Sequence, residues 1–224
     1  MDQVVQKIVT NCKMMDFLEK VLEKAHYTPE DRELLWDILL KILDCMETDA
    51  AWNSLPIRDS SLLKAPIDGA VHEVVMTLGT GVDRLQDEML SEGKITEAYM
   101  IEVLGSEILL LAYEAYNEWV REHTEYVVSR YYFLGTPDVD VEALPDLLKR
   151  SNLSVTCTKG YCMLPKKSVA FYAAMSLDPA TKCEGICMGC GRKDCPNHMT
   201  GDKLSGNRVL DRPLTYGYAR ILGL

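Results

Sequence analysis

Residues 65–89 read APIDGAVHEVVMTLGTGVDRLQDEM, and within them the spacing of apolar side chains changes period. Val74, Met76 and Leu78 alternate with Val75 and Thr77 up to Gly79, the two-residue period of a strand, and a helical period begins after Gly81. The segment is therefore expected to form strand, glycine turn and helix. A G-x-G pair can aim amides at an anion, but without the rest of a nucleotide-binding fingerprint the plain turn is the preferred reading of Gly79 and Gly81.

The pattern upstream is helical. Val5, Ile8, Val9, Cys12, Met15, Leu18 and Leu22 recur every three or four residues. In YTPEDRELLWDILLKILDCM (27–46), Thr28 is placed to cap a helix, Pro29 to occupy its first position, and acids fill the first turn. Downstream, TEAYMIEVLGSEILLLAYEAYNEWVREHTEYVVSR (96–130) reads as one long helix with a stripe of Leu104, Ile108, Leu111, Ala115 and Trp119, ending near YYFLGTPDVD where Gly135 and Pro137 stop it. A short helix in VEALPDLLKR (141–150) follows. SVTCTKGYCML (154–164) then reads as a hairpin around Lys159-Gly160, and KSVAFYAAMSL (167–177) as a strand rich in β-branched and aromatic residues. The expectation is an α+β protein with an N-terminal helical region (1–64), one α+β domain (65–180) and an irregular cysteine-bearing tail (181–224).

A chain of 224 residues, 47% hydrophobic, can bury a core that needs no covalent staples. The start, MDQVVQKIVTNCKMM, lacks the basic region and apolar run of a secretory signal, and no apolar stretch is long enough to cross a bilayer. A cytoplasmic location follows as the expectation, where clustered thiols bind metal or do redox chemistry more often than they pair. The net charge of −10 disfavours nucleic acid or an anionic membrane as the main partner. That charge is uneven, since residues 183–224 carry +2 against −12 on the rest.

Four of the eight cysteines, Cys183, Cys187, Cys190 and Cys195, fall within KCEGICMGCGRKDCPNH in a C-x3-C-x2-C-x4-C spacing. Thiolates this close repel one another unless a cation takes up their charge, and Gly185, Gly189 and Gly191 let the backbone wrap a metal. Pro196 after the last thiol favours an iron–sulfur cluster. Zinc, with His198 able to replace one thiol, and free or regulatory thiols remain open. Cys183, Cys187 and Cys190 also match the triad of radical S-adenosylmethionine enzymes, but only 34 residues follow Cys190, too few for the barrel those enzymes need. Cys157 and Cys162 in the hairpin, and Cys12 and Cys45 on apolar helix faces, read as packing residues. Four histidines in all leave little room for a hydrolytic triad.

Together, TLGTGVDRL, the long Glu-rich helix and MLPKKSV resemble the activation domain of cobalamin-dependent methionine synthase over about residues 65–180. The most specific part is M-x-P-x-x-S-V at Met163, Pro165, Ser168 and Val169. The resemblance implies a single C-shaped domain around a twisted antiparallel sheet, S-adenosylmethionine binding, and a part in reductive remethylation of a corrinoid on a partner. It implies Arg130 and Gly135 as relatives of the family's R-x-x-x-G-Y ligand segment, here with one more residue between them and no tyrosine after the glycine. It also implies Glu114 as a helix acid facing the ligand. Taken on its own chemistry, Arg130 suits a carboxylate clamp or a helix-end cation, and Glu114 an exposed helix acid.

Two functions follow as expectations. One is an activation protein, whose 4Fe–4S cluster relays electrons from a low-potential donor to a corrinoid protein or cobalamin-dependent methyltransferase. The other is a non-catalytic module that binds such a partner, its tail fixed by structural zinc.

Overall fold

The structure, a computed structural model, describes residues 12–55 and 70–186. Five α-helices, a four-stranded antiparallel sheet and a two-stranded one make up the described fold, an α+β protein as expected. In chain order these are α1 (Cys12–Lys24), α2 (Arg32–Cys45), β1 (Asp49–Leu55), β2 (Val71–Thr77), α3 (Thr80–Ser91), α4 (Ile95–His123), β3 (Val127–Phe133), α5 (Leu144–Ser151), β4 (Thr156–Cys157), β5 (Met163–Leu164) and β6 (Ser168–Ser176). The main sheet runs β1-β2-β6-β3.

The strand, turn and helix expected over residues 71–91 are present, and every residue of β2 is buried. Its two faces serve different cores. Val74 and Met76, with Phe171, Ala173 and Met175 of β6, face the helices α1–α4, while Val71, Val75, Tyr172 and Ala174 face α5 and the β4–β5 hairpin. Phe171 is fully buried and Tyr113 of α4 stacks on it at 4.8 Å; burial of such a ring is worth about 2 kcal/mol. Leu18, Leu22, Leu35 and Ile42 of α1 and α2 belong to the same helix-side cluster.

Three expectations change. The region 1–64 is not helical throughout, because residues 49–55 form edge strand β1, paired in register from Asp49↔Thr77 to Leu55↔Val71. The boundary expected near residue 65 lies outside the described residues. The long helix ends at His123 rather than Arg130: Thr124 turns its hydroxyl back to Val120 O at 2.7 Å and accepts from the Tyr126 amide, and Val127 and Val128 then extend as β3. Arg130 is thus a strand residue. Third, the helix opened by Thr28 and Pro29 begins as a turn of 3-10 helix, Pro29–Asp31, with the Thr28 amide donating to Asp31 Oδ2 at 2.8 Å.

The hairpin pairs Thr156↔Leu164 and Cys157↔Met163 across a turn that includes Lys159 and Gly160. Cys157 is half-buried against the second core, and Cys162, one residue from the Met163 that opposes it, is exposed on the other face. Cys45 is half-buried at the end of α2. Among the described residues no helix is long and apolar enough to cross a membrane.

Candidate functional site

The bulge in β3 decides where Arg130 points. Register shifts between Val128 and Arg130, so Val128 and Tyr131 both face the helix-side core, and Arg130 joins Tyr132 on the opposite side. The Arg130 guanidinium lies over the Tyr132 ring, 5.2 Å from its centroid. Its Nε lies 3.3 Å from Glu184 Oε2. Although that nitrogen is buried, it has no aligned hydrogen-bond acceptor among the described residues.

The chain reaches this edge after β6 through a compact turn, in which Ser176 and Thr181 share a hydroxyl hydrogen bond at 2.9 Å and Asp178 Oδ1 accepts from the Ala180 amide. The Glu184 amide then donates to Ser129 O at 2.9 Å, which lays the start of the tail along β3. Cys183 turns the other way. It packs against the helix-side core beside Tyr131, whose hydroxyl donates to Asn117 Oδ1 at 2.7 Å. Burial raises the Cys183 thiol above its ordinary value, and the nearby Gly185 amide and Tyr131 hydroxyl oppose that rise.

Of the expected metal ligands only Cys183 is described; Cys187, Cys190 and Cys195, with His198, lie outside the described residues. Among the described residues, no group of three His, Cys, Asp or Glu is arranged to hold a metal ion.

Gly135, with φ +84°, sits in the turn after β3, where its amide donates to Val139 O at 2.9 Å. The amide is spent within the turn rather than offered to a ligand. Glu114 is on α4, toward Lys20 of α1, on the helix side of the sheet, whereas Arg130 is on the side of Tyr132; the two implied ligand residues are therefore not brought together.

Glu114 is not the exposed acid its helix position suggests. Its Oε2 is buried and has no hydrogen-bond partner among the described residues. Burial first, then repulsion from Glu118, raises its carboxyl from 4.5 to about 7, with Lys20 opposing. The folded state therefore holds the proton more tightly than the unfolded chain. Glu114's contribution to stability is complete below about pH 4.5, falls as pH rises through 7 and is absent above it. Glu114→Gln should flatten that decline and stabilise the protein at pH 8 by about 2 kcal/mol, with allowance for the solvent that still reaches the side chain. Urea denaturation at pH 5 and pH 8 checks this, and a variant whose stability falls as steeply as the wild type's would contradict it.

The M-x-P-x-x-S-V segment is structural in its contacts. Ser168 Oγ lies within hydrogen-bond distance of Thr77 Oγ1 at 2.8 Å and Pro165 O at 2.7 Å, which ties the start of β6 to the end of β2. Lys167 is buried, and its ammonium donates to Glu102 O, the Glu102 carboxylate and Ser106 Oγ on α4. Its stem lies across Gly105, where a Cβ would come within 3.0 Å of it. Sequence reasoning passed over Lys167, and also His72, whose Nδ1 shares a hydrogen bond of 2.8 Å with the Tyr116 hydroxyl. A basic residue at a strand start and a histidine in an apolar run were the available signals.

Gly79 and Gly81 resolve as packing glycines. An added Cβ would lie 2.5 Å from Glu47 O at Gly79 and 1.7 Å from Cys45 O at Gly81, so the chain after α2 closes directly onto the turn.

Comparison with protein-family models and with curated proteins gives no match to this chain.

Proposed function

We propose that the protein is an accessory factor for reductive activation of a corrinoid methyltransferase system, built on a C-shaped activation-like domain over about residues 65–180. The observation that carries this reading is that Arg130, Cys183 and Glu184 meet on one edge of the sheet. A cation suited to a carboxylate and the first thiol of a four-cysteine segment thus share one sheet edge, on its opposite faces, where an S-adenosylmethionine and a redox centre would both have to approach a partner's cobalt. Cys183, Cys187, Cys190 and Cys195 would hold an iron–sulfur cluster, 4Fe–4S in form. When bound, that cluster supplies one-electron chemistry between a low-potential donor protein and the partner corrinoid's Co(II). The fork of Arg130 would hold the ligand's carboxylate, and the Tyr132 ring, 5.2 Å from the guanidinium, supports it from one side.

A second reading rests on the packing of Cys183 against Tyr131. A thiol held in the core serves equally well to tie down a zinc-bound tail on a non-catalytic binding module.

Metal analysis of anaerobically purified protein separates the two readings. The first expects a brown protein, bleached by dithionite, that loses most of its iron in the Cys187→Ser/Cys190→Ser variant. One equivalent of zinc in a colourless protein establishes the second, and full metal retention in the double variant removes the four-thiol site from both. A further measurement is the rate at which a Co(II) corrinoid protein is reduced with a low-potential donor present. Equal rates with wild type and Cys187→Ser would remove electron transfer.

A further inference from the structure

We propose that Lys182–Ile186 is an autoinhibitory strap on the edge of β3, in which the Glu184 carboxylate occupies the place of an external carboxylate at Arg130. The inference rests on the assignment of Arg130 above and adds its regulation. Three contacts of different kinds define the strap: the Glu184 amide on Ser129 O at 2.9 Å, the Glu184 carboxylate beside Arg130 Nε at 3.3 Å, and Cys183 packed near Tyr131. The turn held by Ser176 and Thr181 fixes where the strap starts.

The strap holds Arg130 without satisfying it. Its buried Nε lacks an aligned acceptor among the described residues, and Glu184 stays 49% exposed. An ion pair this open is worth little, so a ligand carboxylate that meets the guanidinium with both oxygens displaces it readily. Ser129 is the residue at which the register of β3 shifts, so the feature that aims Arg130 also supplies the carbonyl that holds the strap. Because Cys183 and Glu184 are adjacent and turn to opposite faces, a pull on the Cys183 sulfur also lifts Glu184 from Arg130. By reciprocity, a carboxylate bound at Arg130 loosens Cys183. The site would thus open to carboxylate ligands when the tail is drawn toward its metal or partner.

The test compares full-length wild type with Glu184→Gln, Arg130→Gln and the double variant. Hydrogen exchange of peptides covering residues 182–186 should quicken about two- to fivefold in both single variants, the range expected for an exposed ion pair. Calorimetry with S-adenosylmethionine should show Glu184→Gln binding about two- to fivefold more tightly than wild type, and no binding in the double variant. Unchanged exchange in both single variants overturns the strap. Equal affinity of wild type and Glu184→Gln overturns the autoinhibition while leaving Arg130 as the ligand site. Quickened exchange with no S-adenosylmethionine binding in any of the four proteins overturns the ligand assigned to Arg130 and leaves the strap contact standing.

Discussion

Gly81→Ala is expected to cost at least about 3 kcal/mol and to leave much of the protein unfolded under mild denaturant. The added Cβ would sit 1.7 Å from Cys45 O and 2.7 Å from Cys45 C, both backbone atoms that no rotamer change removes. Relief requires α3 to move off the end of α2, where the Glu47 amide donates to Leu78 O at 2.9 Å and Thr80 Oγ1 donates to Glu47 Oε2 at 3.2 Å. Gly93→Ala is the control. Its φ is +74° but nothing lies within 4 Å of the added Cβ, so only backbone strain of about 1 kcal/mol is expected. Urea midpoints of the two variants check the contrast, and similar losses would show that the close approach at Gly81 is not what constrains the turn.

Arg150→Ala should be nearly as severe, at about 3 kcal/mol, although the residue it replaces is partly exposed. Glu73 points from fully buried β2 toward α5, with only 3% of its side chain accessible. Arg150 Nε donates to both of its carboxylate oxygens, at 3.1 and 3.0 Å, and a terminal guanidinium nitrogen joins them. Removing the arginine strands a carboxylate beside Val71, Val75 and Tyr172, and the cost is mainly that of an uncompensated buried charge. Glu73→Leu together with Arg150→Leu should recover most of the loss, because it replaces the pair with apolar volume rather than breaking it. A double variant as unstable as Arg150→Ala would show that the loss comes from packing of α5 and not from the stranded charge.

These two sites were legible to different degrees. The change of period around Gly79 and Gly81 marked a turn between strand and helix, but why both positions need glycine is set by Cys45 and Glu47, more than thirty residues earlier. Nothing local in VHEVVMT marks Glu73 as interior; β6 on one side, β1 on the other and α5 above make it so. In the candidate site, Arg130 and Cys183 were legible as single residues, from a side chain suited to carboxylates and from cysteine spacing. Their meeting on one edge was not, because residues 54 positions apart or nearly so are joined only once the chain turns back after β6.

By itself the sequence determined the elements whose signals are local: the alternation of β2, the β-branched and aromatic run of β6, the hairpin around Lys159 and Gly160, and the stripe of α4. Each follows from a repeat or turn within a few residues, where backbone geometry and solvent exposure act directly. Tertiary structure decided the rest. DAAWNSL becomes strand β1 because β2 offers an unpaired edge, since its own pattern is half exposed with no clean alternation. The end of α4 at His123 owes part of its position to Thr124 and part to the pairing of Val127 and Val128 with β6. Arg130 faces Glu184 because one bulge shifts the strand by a residue, and burial in the folded protein raises the Glu114 carboxyl to about 7. The common physical reason is that desolvation and strand pairing belong to surfaces that form only when distant segments meet.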